Sequence, residues 1–278
     1  MAFSLGNMDV LSLRIQHNLT IATGRVNTSI ERLSSGLRIN SAKDDPAGLA
    51  IADRMEAQVR GQNQAKRNIN DGISIFETAD GALGISEDIM QRIRELAVQS
   101  ANDTYTDEDR QSFQDEADQL ITEIKRISGA TEFNGMALLD GTFQNKKLQV
   151  SASSGQNITF GFDEMNTTTL GEGIDTVDTI NLTTQAGASK AMDIADKAIS
   201  MIADQRSYAG AMMSQLEFTY ANADNMSTIQ AEARSRIIDV DIASEVSSLT
   251  RNKILQQAGV AMLSQVQQQG QLYLTLLQ

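Results

Sequence analysis

The stretch Arg67–Ser100, RNINDGISIFETADGALGISEDIMQRIRELAVQS, decides the fold. Ile69, Phe76, Leu83, Met90 and Ala97 recur every seven residues, and Ile75, Ala82, Ile89 and Leu96 form a second such series one position earlier. Ala79 and Ile93 supply a third line between them. A seven-residue repeat keeps side chains on one side of a helix, because two turns take about 7.2 residues. A two-stranded coiled coil needs only a narrow seam, whereas this face is wide enough to meet two or more partners in a bundle. The predicted bundle core is therefore Ile69, Ile75, Phe76, Leu83, Ile89 and Met90, with Asn70, Glu77, Asp88, Gln91 and Glu95 on the solvated side.

Upstream, LSSGLRINSAKDDPAGLAIA (residues 33–52) holds the only proline of the 278-residue chain. Proline disfavours helical backbone in the residue before it and suits the first position of a helix. Asp45 is thus predicted as an N-cap, its carboxylate at the positive end of a helix that Pro46 begins. Gly36, with Asn40 and Ser41, ends the helix before it. A helix unbroken from Pro46 to Ser100 is about 80 Å long, the length of a rod.

Both ends of the chain repeat the helical pattern. Ile15, Leu19, Ala22, Val26, Ile30, Leu33 and Leu37 alternate spacings of three and four. Near the other end come Ile238, Ile242, Val246 and Leu249, then, after a slip, Leu255, Met262, Val266 and Tyr273. A polar run, Gln267 to Gln271 with Gly270, makes the last turns a poor isolated helix, stable only with many neighbours. That points to assembly. A break is expected near 101–107 and a weak point near 221–227. In the middle, KKLQVSASSGQNITFGF alternates apolar Leu148 and Val150, then Ile158, Phe160 and Phe162, about a turn-forming SSGQ, so a β-hairpin is predicted. The following DEMNTTTLGEGIDTVDTINLTTQ reads as exposed loop. The fold class is mainly α: a long helical hairpin or coiled-coil bundle with a small β-hairpin region.

Composition agrees and removes other function classes. Apolar residues make up 41% but aromatics only 4%, which suits long helices packed on Ala, Ile, Leu and Met. A net charge of −13 argues against nucleic-acid binding, which needs a Lys/Arg excess. No run approaches 18 apolar residues, so no membrane insertion is expected. Without cysteine there is no thiol catalysis or disulfide framework. His17 is the only histidine, so a two-histidine zinc site is impossible and no serine triad has a supporting motif. Asp115, Glu116 and Asp118 lack the alternation and glycine of a calcium loop. The chain is expected to be no enzyme, with no cofactor and no metal.

Four stretches resemble bacterial flagellin. IERLSSGLRINSAKDDPAGLAIADRM at 30–55 resembles the family's N-terminal signature, and RNINDGISIFETADGALGISEDIMQRIRELAVQSAND at 67–103 its long helix. TEFNGMALLDG at 131–141 is similar to the turn that follows, and ARSRIIDVDIASEVSSLTRNKILQQAGVAMLSQ at 233–265 to the C-terminal signature. The resemblance implies that 1–40 and 235–278 pair as inner terminal helices (the family's D0). Residues 41–184 and 185–234 would form an outer bundle with the hairpin (D1). Only 150–184 would remain as variable region, with no outer D2 or D3.

It also implies a structural subunit of the flagellar filament, exported unfolded by the flagellar type III system. The protein would then be extracellular, secreted without a cleaved signal peptide. The implied partners are further copies of the chain, the filament cap, hook-junction proteins, an export chaperone at the C-terminal helix and a host Toll-like receptor. Ile15, Leu19, Val26, Ile30, Leu33, Ile242, Val246, Leu249, Leu255, Met262 and Val266 are the expected assembly contacts. The terminal helices are expected to be disordered in the monomer and ordered in the filament. Arg92, Leu96 and Glu116 match the family's receptor-recognition positions, although Leu96 also lies on a core line. A hook–filament junction protein is the alternative of the same architecture.

Overall fold

The computed structural model describes the backbone of residues 2–275 and the side chains of 9–272 except Glu172. Its helices are α1 (Ala2–Ser35), α2 (Pro46–Ser100), α3 (Asp107–Ala130), α4 (Gln185–Ile238) and α5 (Ile242–Thr275). Between α3 and α4 lie three two-stranded antiparallel hairpins: β1–β2 (Glu132–Phe133, Met136–Ala137), β3–β4 (Lys146–Gln149, Asn157–Phe160) and β5–β6 (Gly171–Glu172, Asp175–Thr176). The chain divides into two compact units, residues 58–228 and residues 1–57 with 229–278. The divisions fall inside α2 and α4. The connector packs against the start of α2 and the end of α4: Ile39, Ala52 and Ile238 share a small buried cluster with Leu37, Leu49 and Ile237.

Helix boundaries follow local chemistry. Gly36 closes α1 with φ 75°, its N–H donating to Arg32 O at 2.9 Å, a left-handed cap that glycine adopts without steric cost. At the start of α2, the N–H groups of Ala47 and Gly48 donate to Asp45 Oδ1 at 3.1 and 2.9 Å, and Pro46 needs no partner for a missing N–H. Asp44 Oδ2 organises the connector by accepting from Asn40 N, Ser41 N and Ser41 Oγ at 3.0–3.2 Å. Thr106 and Asp109 form a reciprocal capping box on α3. Asp241 Oδ1 caps α5 through Ala243 N and Ser244 N.

In the 58–228 unit, the core is the face read from the heptads. Ile69, Phe76, Leu83 and Met90 are 0% exposed, Ile75 is buried and Ile89 half-buried. Phe76 is central, its ring centroid 5.1 Å from Phe160 and 5.2 Å from Phe162 of the hairpin region. Ion pairs join α2 to α4: Lys66–Asp224 (2.8 Å), Arg206 to Asp80 and Glu87 (2.9 and 2.6 Å), and Arg94–Asp196 (2.5 Å). As residue numbers rise along α2 they fall along α4, so the two helices run antiparallel here. The β3–β4 register, Lys146↔Phe160 to Gln149↔Asn157, sets Leu148 opposite Ile158.

Two expectations are corrected. Residues 163–185 are not an exposed loop: Met165, Leu170, Val177, Ile180 and Leu182 are buried in the main core. Their polar spacers hide this, because tight turns let isolated apolar residues reach inward without periodicity. The weak point near 221–227 is absent, since α4 runs through it with Ala223 and Ser227 buried and the intervening asparagines outward. The terminal helices α1 and α5 pair with each other along 2–35 and 242–275.

Candidate assembly and recognition surfaces

The α1–α5 pair shows what the terminal helices can and cannot bury. Ala22, Val26 and Val266 are buried in it, and Ile15, Leu19, Leu33 and Leu249 are half-buried. Few polar links support it: Gln256 Nε2 donates to Thr23 Oγ1 at 3.0 Å, and Arg32 lies 3.8 Å from Glu245. The remaining expected assembly residues face outward, with Ile30 49%, Ile242 52%, Val246 45%, Leu255 53% and Met262 51% exposed. Val10, Leu11, Leu13, Ile21, Ile254, Val260 and Leu272 join them, although a single heptad line did not select them. Apolar residues spread around these helices instead of keeping to one line of sevens, and that line therefore misses them. Leu11, Ile15 and Leu19 face Leu255 and Met262 across an apolar groove of about 530 Å³. Tyr273, residue 1 and residues 276–278 lie outside the described side chains.

Two helices packed through small residues leave each with an unburied apolar side. Soluble monomers rarely expose contiguous apolar surface on this scale, so such a surface marks a site of association.

The three recognition residues separate. Arg92 on α2 donates from Nε to Glu116 Oε1 of α3 at 2.9 Å and from Nη1 to Glu95 Oε2 at 3.1 Å. Its side chain is 49% exposed and that of Glu116 45%. Glu116 foremost, then Glu95, raises the pKa of Arg92 further above its ordinary value. Leu96 is only 1% exposed and belongs to the buried cluster that includes Ala117 and Ile124 of α3. The expectation that Leu96 lies on an open face is corrected: α3 covers the helix side carrying the second heptad line. Arg92 and Glu116 form a half-exposed surface pair, while Leu96 is buried.

No three His, Cys, Asp or Glu side chains among the described residues are grouped to hold a metal, and no helix there is long and apolar enough to cross a membrane. Nearby, Arg110 is buried and donates to Ser100 O and to Asn102 O, fastening the end of α2 to the start of α3.

Residues 7–144 match the family model described as the bacterial flagellin N-terminal helical region, and 192–277 match that of the C-terminal helical region. The chain belongs to the bacterial flagellin family. It is 43% identical over 271 residues to a flagellin of Halalkalibacterium halodurans, covering 98% of each chain. To the flagellar filament 33 kDa core protein of Treponema phagedenis it is 39% identical, covering 98% of this chain and 99% of that one. The crystal structure of Bacillus cereus flagellin aligns with a TM-score of 0.51 at 33% identity, covering 59% of this chain and 94% of that one. The first family model covers α1 to α3 with β1–β2, the second most of α4 and α5, and residues 145–191, with β3 to β6 and the start of α4, fall between them. As a flagellin the chain is a structural protein, and its chemistry is that of surfaces.

Proposed function

We propose that this flagellin is the repeating subunit of a flagellar filament, polymerising through the unburied sides of α1 and α5. The observation that carries the reading is the apolar exposure of Ile30, Ile242, Val246, Leu255 and Met262 on a helix pair that cannot bury them itself. Identical helices of neighbouring copies supply the missing cover. A contact between two different patches of one chain repeats without closing, which generates a helical tube. The terminal pair then serves as the inner layer (1–40 and 235–278) and the remainder as the outer layer (41–234). The curated relatives carry flagellin and filament-core names, and these favour a filament subunit over a hook–filament junction protein. Export in an unfolded state, a cap, junction proteins and a chaperone on α5 belong to the same reading, and so does an extracellular location. The test is electron microscopy of purified subunits after seeding. Filaments of unlimited length are expected, and a single added layer identifies a junction protein instead. Hydrogen exchange at high dilution completes the test. Fast exchange is expected along α1 and α5, and strong protection there would refute the dependence on neighbours.

A second reading rests on the exposed Arg92–Glu116 pair: recognition of this surface by a host Toll-like receptor. Leu96, being buried, takes no part in that surface. Arg92→Asp is expected to abolish receptor-dependent signalling by the intact protein, and undiminished signalling would end this reading.

A further inference from the structure

The chain has no cysteine and no tryptophan, so a mild peroxide finds its targets in the twelve methionines. Among the described side chains, Met90, Met165 and Met212 are buried and Met136, Met226 and Met262 are exposed, Met262 most of all. Met136 and Met226 belong to the 58–228 unit, whereas Met262 stands on the terminal helix α5. Two contacts fix its level on α1. Gln256 donates to Thr23 and Gly259 faces Leu19, so residue numbers fall along α1 as they rise along α5. Three residues past Gly259, about 4.5 Å along the axis, Met262 comes level with Ile15 and Leu19 in the apolar groove. An open thioether therefore sits on the surface that other copies are to cover.

We propose that Met262 is an oxidation switch of polymerisation: its sulfoxide keeps a subunit out of the filament, and the filament shields the thioether from oxidation. The proposal rests on the filament reading and adds a means of controlling it. A lone pair of the Met262 sulfur attacks one oxygen of hydrogen peroxide. The S–O bond forms as the O–O bond breaks, and the departing hydroxide takes the proton of the sulfur-bound oxygen and leaves as water. The thioether loses two electrons and the peroxide gains them. An apolar, flexible side chain becomes a polar one carrying a strong acceptor. A neighbour's apolar side chains offer that oxygen no hydrogen bond, and burying it unpaired opposes association. Once covered, the unoxidised sulfur is out of reach of peroxide. Thiol-dependent sulfoxide reductases reverse the step, which suits a switch.

The test starts from full-length free subunits treated with hydrogen peroxide until Met262 is partly oxidised, then seeded, polymerised and sedimented. Peptide mass spectrometry reads the sulfoxide at each methionine in pellet and supernatant. Sulfoxide at Met262 is expected to be depleted about tenfold from the pellet, and more strongly than at Met136 or Met226. Equal sulfoxide at Met262 in the two fractions overturns the proposal and leaves the filament reading intact. A depletion no stronger than at Met136 or Met226 overturns it too, as does a Met262 that stays reduced in free subunits while those two oxidise. Untreated protein that fails to polymerise refutes the filament reading, and the proposal with it. Conversely, peroxide added to finished filaments should oxidise Met262 at least about tenfold more slowly than in free subunits, and equal rates overturn the shielding. Met262→Leu, similar in volume but without sulfur, is compared with itself before and after full treatment. Its critical concentration should not move, whereas that of the unsubstituted protein should rise about tenfold. An equal rise in Met262→Leu assigns the effect to another methionine and overturns the proposal.

Discussion

Truncating Leu255 and Met262 should weaken assembly far more than it weakens the subunit. Both line the apolar groove against α1, yet each remains about half exposed, at 53% and 51%. Complete burial of such side chains contributes about 1.5–3 kcal/mol. The half still exposed leaves about 1 kcal/mol per residue to be gained when a neighbour covers it. At 1.4 kcal/mol per tenfold, Leu255→Ala should raise the critical concentration about fivefold. The residues are seven apart, about 10 Å along the helix, so their effects should nearly add, to about thirtyfold for the double variant. The assay is sedimentation of seeded polymer across a range of subunit concentrations, with thermal unfolding of the dilute subunit as control. Val26→Ala gives the contrast, since Val26 is already 6% exposed and should affect the subunit's helix pair first. A double variant whose critical concentration stays within twofold of the unmodified protein would refute the view that this face is covered by other copies.

Phe76→Ala should cost about 3–5 kcal/mol, because a fully buried ring is lost from the junction of α2 with Phe160 and Phe162; urea unfolding followed by circular dichroism reads it. Gly171 has φ 130°, and an added Cβ would lie 2.3 Å from Asp175 O, so Gly171→Ala must distort β5–β6. Gly36→Ala, at φ 75° with nothing within 4 Å, should cost only about 1 kcal/mol of backbone strain, and the same unfolding assay ranks the two. The N–H and hydroxyl of Thr106 lower the pKa of Asp109 in the folded state. A depressed carboxyl pKa stabilises above the unfolded value of about 3.9 and ceases to do so as pH falls through the lower folded value. The protection factor for hydrogen exchange at the first turn of α3 should therefore fall below about pH 4, and Asp109→Asn should remove that pH dependence.

Much of the helical frame was legible, because a seven-residue repeat needs no distant information. Ile69, Phe76, Leu83 and Met90 identify one another as core neighbours by spacing alone, and Asp45-Pro46 announces a helix start from local sterics. Residues 163–185 were illegible for the opposite reason. Leu170, Val177 and Leu182 are buried by turns whose directions depend on the core they meet. The surface sites divide the same way. Outward Arg92 and Glu116 are visible as polar residues, but only three-dimensional packing shows that α3 covers Leu96.

The connector after α1 and the short link between α4 and α5 are tied to each other. Leu37 bridges Asp239, Arg38 N–H donates to Ile238 O at 2.6 Å, and Val240 N–H donates to Gly36 O at 3.0 Å. Arg38 also donates from its guanidinium to Ile237 O. Both terminal helices thus leave from a common datum, so their axial alignment is set at one end. Farther along, Ala22, Ala258 and Gly259 offer a smooth seam on which side chains alone would resist sliding only weakly. With the joint held, inserting or deleting a single residue in the last turn of α1 would shift every earlier position of α1 against α5 by about 1.5 Å and rotate it by about 100°. The joint is in effect the vernier of the helix pair, where small changes in sequence reset the whole apolar face.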